Sequence, residues 1–302
     1  MNTSYAQNFE DIILWRALKQ IKNGFYIDIG ANDPTRDSVS KLFYDRGWRG
    51  VHVEPAAEFA DKLEQQRPDE KVIRAAVSTK KSKLQLVYFE GTGLSTSNLE
   101  VAEKHIDSGY VHETIRVPTI TLEKILNDLD VPDIHWLKID VEGMEGDVLK
   151  SWGESSVRPW VLLVESTRPL SSKETHGFWE SEVLNRGYEF AYFDGLNRFY
   201  VRLDKEQLKS SFGPGPNYFD HFSLTESSPF VVDLQARHAL MTQELIKRVG
   251  DADHEIMTTH VRLQDTIKGL EHSREEARSV LDALTAQSNG VAAAVETVVA
   301  DA

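Results

Sequence analysis

Hydrophobic residues occur along most of the chain in two alternating patterns, short continuous runs and helix-spaced stripes. Continuous runs bounded by turn residues are typical of buried strands, and three-to-four spacing is typical of helices that bury one face. The runs predict strands at residues 24–29, 49–54, 71–77, 84–89, 135–140 and 160–165. The stripes predict helices at residues 9–18, 36–46, 57–66, 122–129 and 178–185. This alternation predicts an α/β fold with a doubly wound, mostly parallel sheet.

Two regions depart from the alternation. Residues 190–193 and 198–201 are apolar, aromatic segments on either side of a four-residue turn that contains Gly195. Such a sequence favours a hairpin, so we expect a late antiparallel hairpin at the end of the sheet. Residues 90–115 are polar and show neither pattern, and we expect an irregular loop near the active site there.

The C-terminal part of the chain has a pattern of its own. From residue 234 onward, helical sequence carries residues at alternating steps of four and three, the spacing of a coiled-coil seam. The seam positions are Ile256, His260, Leu263, Ile267, Leu270, Arg274, Ala277, Leu281 and Leu284. A helix folded back on the first domain is the alternative. We expect a domain at 1–205, a linker at 206–233 and an oligomer-forming coiled coil at 234–302, in a chain that continues beyond its last residue.

Composition and charge narrow the classes of function. The net charge of −14 opposes nonspecific binding to a phosphate backbone, so we expect no nucleic-acid partner. The chain has no cysteine, which excludes disulfides, thiolate metal sites and cysteine nucleophiles. No segment has the length of a transmembrane helix or the form of a signal peptide. The default expectation is therefore a cytoplasmic protein.

Acidic residues accompany the first two predicted strands near the ends at which parallel sheets bind ligands. Asp28 lies near the end of the first strand, Gly30 and Asp33 follow it, and Glu54 ends the second strand. Glycine allows close approach to a ligand, and a strand-end acid can bind ribose hydroxyls. A dinucleotide needs a glycine-rich phosphate turn, whereas S-adenosyl-L-methionine carries positive charge and no phosphate. The pattern favours S-adenosyl-L-methionine, with ordinary strand-end acids as the alternative.

A second acidic segment follows the fifth predicted strand. Asp140, Glu142 and Glu145 lie close together in sequence, and Glu165 ends the next strand. Acids at a helix N-terminus are the alternative explanation for this density. Because a hydroxyl acceptor needs a base as its proton leaves, Asp140, Glu142 and Glu165 are the catalytic candidates. Asp140 and Glu165 holding a Mg²⁺ ion is a second possibility, although we expect no metal.

Residues 91–97 form a flexible, hydroxyl-rich segment that suits closure over a substrate. Ser95 and Thr96 of this segment are candidates for binding the acceptor. His112 and Glu145 are further candidates, and both side chains are also able to act as bases. A surface loop without a role in binding explains the same sequence equally well.

Four segments resemble the FkbM family of methyltransferases. They are SYAQNFED at residues 4–11, FYIDIGAN at 25–32, GLST at 93–96 and LKIDVEG at 137–143. The resemblance extends over roughly residues 1–205, and its last segment is the most specific. It implies a Rossmann-like methyltransferase fold and O-methylation, often of sugars in glycans, glycolipids or natural products.

The resemblance also implies positions for the cofactor. Tyr5 and Gln7 would close over it, and Val77 would flank its adenine. The residues that the acidic pattern and the resemblance together assign to S-adenosyl-L-methionine are Tyr5, Gln7, Asp28, Gly30, Asn32, Asp33, Glu54, Val77 and Asp140.

Relatives that share the opening segment often occur beside or inside glycosyltransferase polypeptides that build bacterial surface polysaccharides. The resemblance therefore implies a sugar hydroxyl of a surface glycan as acceptor, and a glycosyltransferase as partner or fused domain. Two other classes stay open: an NAD-dependent sugar oxidoreductase, and a noncatalytic glycan-assembly module organised by the coiled coil.

Overall fold

The structure, a computed structural model, describes residues 1–80 and 83–300, with side chains described through residue 290. Its strands are β1 (Asn2–Ser4), β2 (Phe25–Ile29), β3 (Arg49–Val53), β4 (Lys71–Ile73), β5 (Ala76–Val77), β6 (Leu84–Tyr88), β7 (Glu113–Val117), β8 (Thr119–Ile120), β9 (Trp136–Ile139), β10 (Val161–Glu165), β11 (Tyr188–Phe193), β12 (Asn197–Arg202) and β13 (Phe222–Leu224). Its α-helices are α1 (Glu10–Leu18), α2 (Val39–Asp45), α3 (Ala57–Gln66), α4 (Leu99–Asp107), α5 (Leu122–Asn127), α6 (Glu145–Lys150), α7 (Glu180–Leu184) and α8 (Val232–Ala300). The chain divides into two compact units, Met1–Val232 and Asp233–Ala302.

Seven strands form the central sheet of the first unit, in the order β11-β12-β10-β9-β2-β3-β4. The strands from β10 to β4 run parallel, and β12 is antiparallel to both β10 and β11. The mixed α/β sheet and its late antiparallel hairpin are therefore as predicted. The carboxyl ends of the parallel strands meet at one edge of the sheet, where ligands bind in folds of this kind.

Apolar cores cover both faces of the sheet. On one face, Ile27 packs in a buried cluster with Leu149 of α6. On the other face, Tyr26 and Trp136 stack with their rings 4.6 Å apart, and Phe43 of α2 packs beside them. Neighbouring positions on one strand serve opposite faces because side chains alternate along a strand. Each fully buried side chain of this size contributes roughly 1.5–3 kcal/mol, which fixes the strand ends that carry the site.

Two elements differ from the prediction in the first half of the chain. The segment predicted as one strand at 71–77 forms two, because β4 joins the central sheet while β5 pairs in parallel with β8. The region predicted as an irregular loop at 90–115 contains α4 and part of β7, which pairs with β6. The side chain of Asn98 caps α4 by accepting the N–H of Glu100 at 3.1 Å, a short signal hidden by the polar composition.

The segment predicted as a linker at 206–233 is instead folded into the first unit. Strand β13 pairs in parallel with β1, and the ring of Phe212 is buried 5.6 Å from that of Phe199. Arg16 of α1 donates two hydrogen bonds to the carboxylate of Asp220, at 2.6 and 2.8 Å. These contacts join residues about 200 positions apart, so no local period in the sequence indicates them.

The second unit is one continuous helix, α8, over 69 residues. It covers the predicted helical segment, apart from residues 301–302, which lie outside the described residues. Its apolar side chains up to residue 290 are exposed; Ile267, one of the most covered, is 46% exposed. No helix in the described part of the chain is long and apolar enough to cross a membrane.

Candidate active site

A cavity of about 380 Å³ opens at the carboxyl ends of β2, β3 and β9. The predicted site residues that line it are Gln7, Gly30, Asn32, Glu54, Val77, Ser95, Asp140 and Glu142. Lining residues that the sequence analysis did not select include Arg36, Phe59, Ser97, Lys138 and Met144. Segments that are far apart in sequence meet here because parallel strands bring their ends to one edge.

Gly30 allows the turn after β2 to pass directly against the turn after β9. Its φ is +75°, a conformation that side chains with a Cβ rarely adopt. A Cβ at this position would lie 1.8 Å from the backbone oxygen of Asp140. The backbone N–H of Gly30 donates to the carbonyl of Val53 at 3.0 Å, which holds the turn in place. Only glycine fits this point of contact.

Glu54 is buried at the end of β3 and is held by two backbone donors. One carboxylate oxygen accepts the N–H of Asn32 at 2.9 Å, and the other accepts the N–H of Ala56 at 2.8 Å. Burial raises the pKa of Glu54 to about 7, although these backbone hydrogen bonds favour the ionised form. Each carboxylate oxygen can accept more than one hydrogen bond, so Glu54 retains capacity to accept ligand hydroxyls.

Lys138 is a buried cation at the centre of this site. It lies on β9 in register with Asp28 of β2, and its Nζ is 2.9 Å from Oδ2 of Asp140 and 3.8 Å from Oδ1 of Asp28. Burial opposes the charge of Lys138, but the charges of Asp140 and Asp28 outweigh burial and raise its pKa. A lone lysine inside an apolar strand was the signal for it in the sequence.

Four carboxylates surround the turn after β9. Burial, with the charge of Asp140 second, raises the pKa of Glu142 and of Glu165 well above the usual range. Burial also raises the pKa of Glu145 to about 7, although that carboxylate accepts the N–H of Gly143 at 3.0 Å. Asp140 has a side chain that is 28% exposed and lines the cavity, whereas Glu165 is buried and lies outside the lining. Burial and mutual repulsion favour the protonated forms of Glu142 and Glu165, and a cationic ligand beside them would favour their ionised forms.

A family model, described as the methyltransferase FkbM domain, matches residues 28–190. The chain belongs to the FkbM methyltransferase family. The matched range contains every residue that lines the cavity except Gln7. No curated protein matches the chain.

Two solved structures are similar to this FkbM-family chain over part of its length. A TehB-like SAM-dependent methyltransferase from Corynebacterium glutamicum is 8% identical, with a TM-score of 0.38, over 64% of this chain and 87% of its own. The C-terminal domain of precorrin-6Y C5,15-methyltransferase from Rhodobacter capsulatus is 12% identical, with a TM-score of 0.28, over 63% and 84%. These TM-scores are too low for either similarity to bear on the function of the chain.

Three residues predicted to bind the cofactor lie outside the cavity lining of this methyltransferase-family chain. Tyr5 donates its backbone N–H to the carboxylate of Asp11 at 2.7 Å, which fixes the N-terminal segment. Asp28 is buried on the sheet face that carries Lys138 and acts on that lysine. Asp33 accepts two backbone N–H groups of its own turn at 2.9 Å. All three hold neighbouring segments of the site in place, and their contact with a ligand stays a prediction.

The residues predicted to bind the acceptor are divided by the structure. Ser95 lines the cavity, while the neighbouring Thr96 is buried and donates its hydroxyl to the carbonyl of Glu142 at 2.8 Å. His112 is exposed and lies outside the cavity lining. Glu145 lines a second, adjacent cleft instead. Among the described residues, no group of three or more histidine, aspartate or glutamate side chains is placed to hold a metal ion.

Proposed function

We propose that the chain transfers a methyl group from S-adenosyl-L-methionine to the hydroxyl oxygen of a sugar in a glycan. The observation that carries this proposal is the cavity at the strand ends of a methyltransferase-family chain. Glu54, which can accept hydrogen bonds, and the acidic turn after β9 both line this cavity. A surface glycan as the source of that sugar, and a glycosyltransferase as partner, stay predictions from the family resemblance.

The lining has the chemistry that this cofactor needs. Oδ1 of Asn32 and Oε2 of Glu142 are buried acceptors without a hydrogen-bond partner among the described residues, and both residues line the cavity. Such acceptors are costly to leave unpaired, so they favour a ligand with donors or positive charge. Glu54 suits the ribose hydroxyls, and Val77 and Leu86 offer an apolar surface to the adenine.

When bound, S-adenosyl-L-methionine supplies an electrophilic methyl group on a positively charged sulfur. The chain's own contribution is position and charge. Gly30 lets the turn after β2 pass against the turn after β9, and Asp140 provides negative charge near the sulfonium. Glu165 is buried outside the lining, and its raised pKa favours the neutral form, so it is not placed to act on the ligand.

Asp140 is the proposed base for the acceptor hydroxyl. It lines the cavity with a partly exposed carboxylate, and its ion pair with Lys138 fixes its direction at 2.9 Å. As the carbon–oxygen bond forms and the carbon–sulfur bond breaks, S-adenosylhomocysteine would leave with the bonding pair and this carboxylate would take the hydroxyl proton. Lys138 positions Asp140. Because the pKa of Lys138 is raised, this lysine stays protonated and cannot accept the proton itself.

Methyl transfer from carbon-13-labelled S-adenosyl-L-methionine to a panel of oligosaccharides tests this function. We expect the label in a methyl ether of the sugar, identified by the carbon resonance of the product. A product labelled on nitrogen or carbon would overturn O-methylation.

Asp140→Asn should retain binding of S-adenosylhomocysteine and lower turnover at least about a hundredfold, the low end for loss of a general base. Asp130→Asn, at an exposed position outside the cavity lining, is the matched control and should retain full turnover.

The same assay distinguishes catalysis by Asp140 as a general base from catalysis assisted by a metal ion. Near-normal turnover of the Asp140→Asn enzyme would remove Asp140 from the mechanism. Activity that EDTA abolishes and Mg²⁺ restores would replace the proposed base with a metal-assisted reaction.

A further inference from the structure

A second cleft, of about 750 Å³, adjoins the cavity at the turn between β9 and α6. Its walls are α4, that turn with α6, and the segment 168–179 that follows β10. Met144 lines both spaces, so ligands bound in the cavity and in the cleft would meet at this residue. Neither the family match nor the predicted cofactor chemistry assigns a ligand to this cleft.

Four cationic side chains from three segments line the cleft, in a chain whose net charge is −14. They are Lys104, Lys150, Arg168 and Lys173. Lys150 and Lys173 are exposed and have no ion pair within the part of the chain that the structure describes. Unpaired cations grouped around one concave surface favour an anionic ligand.

The carboxylates of the cleft are already engaged. Glu100 pairs with Lys104 at 3.0 Å and with Arg168 at 3.4 Å. Asp147 accepts two side-chain hydroxyls of the segment after β5, each at 2.6 Å. Glu145 is buried and accepts backbone N–H groups of its own turn. Lys173 therefore shares Glu100 with two closer cations, and no carboxylate of the cleft forms an ion pair with Lys150.

Buried polar atoms without partners mark the same cleft. His105 is 2% exposed, and neither ring nitrogen has a hydrogen-bond partner among the described residues. Nε1 of Trp179 and Oγ1 of Thr175 are also buried without a hydrogen-bond partner among the described residues. All three residues line the cleft. Burial lowers the pKa of His105, so its ring is neutral and offers one donor and one acceptor. Phe178, 82% exposed, adds a flat apolar surface beside these polar groups.

We propose that this cleft binds the methyl acceptor and that the acceptor is an anionic sugar, one that carries carboxylate or phosphate groups. The proposal rests on the proposed function and adds the charge class of its substrate. Lys150 and Lys173 bind the negative groups, and His105 and Trp179 bind hydroxyls. The face of a sugar ring packs on Phe178, as apolar faces do in mixed ligand sites. The acceptor hydroxyl then reaches the cavity at Met144.

Calorimetric titration of the full chain, saturated with S-adenosylhomocysteine, tests the proposal with three oligosaccharides. Maltotetraose is neutral, tetragalacturonate carries carboxylates, and phosphorylated maltotetraose carries phosphate. We expect at least one charged oligosaccharide to bind roughly tenfold or more tightly than maltotetraose, the scale of one charged hydrogen bond, and to weaken with added salt. The charged ligand that binds better identifies the anionic group.

Two double variants localise the binding. Lys150→Gln with Lys173→Gln should weaken the charged ligand roughly tenfold or more and leave S-adenosylhomocysteine binding unchanged. Lys19→Gln with Lys22→Gln removes the same charge from exposed positions at the end of α1, outside the cleft lining, and should change neither affinity.

Equal binding of the neutral and charged oligosaccharides would overturn the proposal, as would an unchanged affinity in the Lys150 and Lys173 double variant. Failure of both charged ligands to bind would overturn it as well. Each of these results leaves the proposed function standing if S-adenosylhomocysteine binds. Absence of S-adenosylhomocysteine binding in the unaltered chain overturns the proposed function itself.

Discussion

Gly30 shows how one residue determines the shape of the site. The turns after β2 and β9 touch at this position, where a Cβ would lie 1.8 Å from a backbone oxygen and φ is +75°. The contact sets how far the turn after β2 projects towards the ligand. The backbone conformation and the missing side chain are thus both required.

We expect Gly30→Ala to lower the free energy of unfolding by at least about 2 kcal/mol, because it combines overpacking with a strained φ. Chemical denaturation measures this change. Gly177→Ala is the control, since no atom lies within 4 Å of its added Cβ and its φ is not in the left-handed region. Equal stability of the two variants would show that the turn after β2 can rearrange without a loss in the free energy of unfolding.

Glu54 determines the predicted grip on the ribose. Glu54→Gln keeps the shape of the side chain and removes its charge, so S-adenosylhomocysteine binding should weaken by about 1–3 kcal/mol. Calorimetry measures the affinity. Asp61→Asn, with a carboxylate 67% exposed on α3, is the control and should bind as the unaltered chain does. An unchanged affinity of Glu54→Gln would leave Glu54 as an ordinary acid at a strand end.

Which individual side chains reach the cavity was only partly predictable from the sequence. Gly30 and Glu54 follow their strands directly, and the position of a strand end is a strong signal. Asp28 lies inside β2, where alternation turns its side chain to the face of Lys138. Thr96 and its neighbour Ser95 differ because the local backbone, which no composition reveals, directs one inward to Glu142 and the other to the cavity.

At the scale of elements, the strands and the helices of the central layer follow from hydrophobic pattern because each buries a continuous apolar stripe. Hydrophobic pattern does not predict elements that depend on a single capping residue or on pairing with a distant strand. Helix α4 depends on the cap at Asn98, and β13 depends on pairing with β1 across the whole first unit. The walls of the second cleft include α4, which is why the sequence did not indicate that cleft.

Helix α8 carries an apolar stripe that its own unit does not bury. The spacing of four and three through Ile256, Leu263 and Ile267 also extends backwards through Ile246 and Val249. These side chains are all exposed, and an isolated helix is marginal in water without packing. We therefore propose that α8 associates with copies of itself as a coiled coil and holds several active sites together.

The full chain should be an oligomer at micromolar concentration, and Ile267→Asp should shift it towards a monomer, because a charge at a seam position loses hydration on association. Light scattering measures the mass. Ser279→Asp adds the same charge outside the seam and should leave the oligomer intact. A monomeric unaltered chain would contradict self-association through α8.

At the scale of the whole molecule, buried carboxyl groups make stability depend on pH. Burial is the main cause that raises the pKa of Glu10 to about 8, of Asp11 to about 6, and of Glu54 and Glu145 to about 7. Between the ordinary carboxyl pKa and these values, the folded chain binds more protons than the unfolded chain. The free energy of unfolding should therefore fall as pH rises through this window.

We expect a loss of at least about 2 kcal/mol in the free energy of unfolding between roughly pH 5 and pH 8, measured without ligand. Glu145→Gln should flatten this dependence, because it removes one group that must ionise within the fold. Glu206→Gln, at an exposed position, should preserve it. A stability that rises over this range would mean that the buried carboxyls are ionised at little cost.

We propose that the cavity at the ends of β2, β3 and β9 binds S-adenosyl-L-methionine. Thermal unfolding of the full chain with S-adenosylhomocysteine, and separately with NAD, tests it most directly. A ligand that binds only the folded state at a hundred times its Kd adds about 2.7 kcal/mol to stability, so S-adenosylhomocysteine should raise the melting temperature. NAD should leave it unchanged, because the turn after β2 lacks the glycine-rich phosphate site. Stabilisation by NAD and none by S-adenosylhomocysteine would contradict binding of S-adenosyl-L-methionine in this cavity.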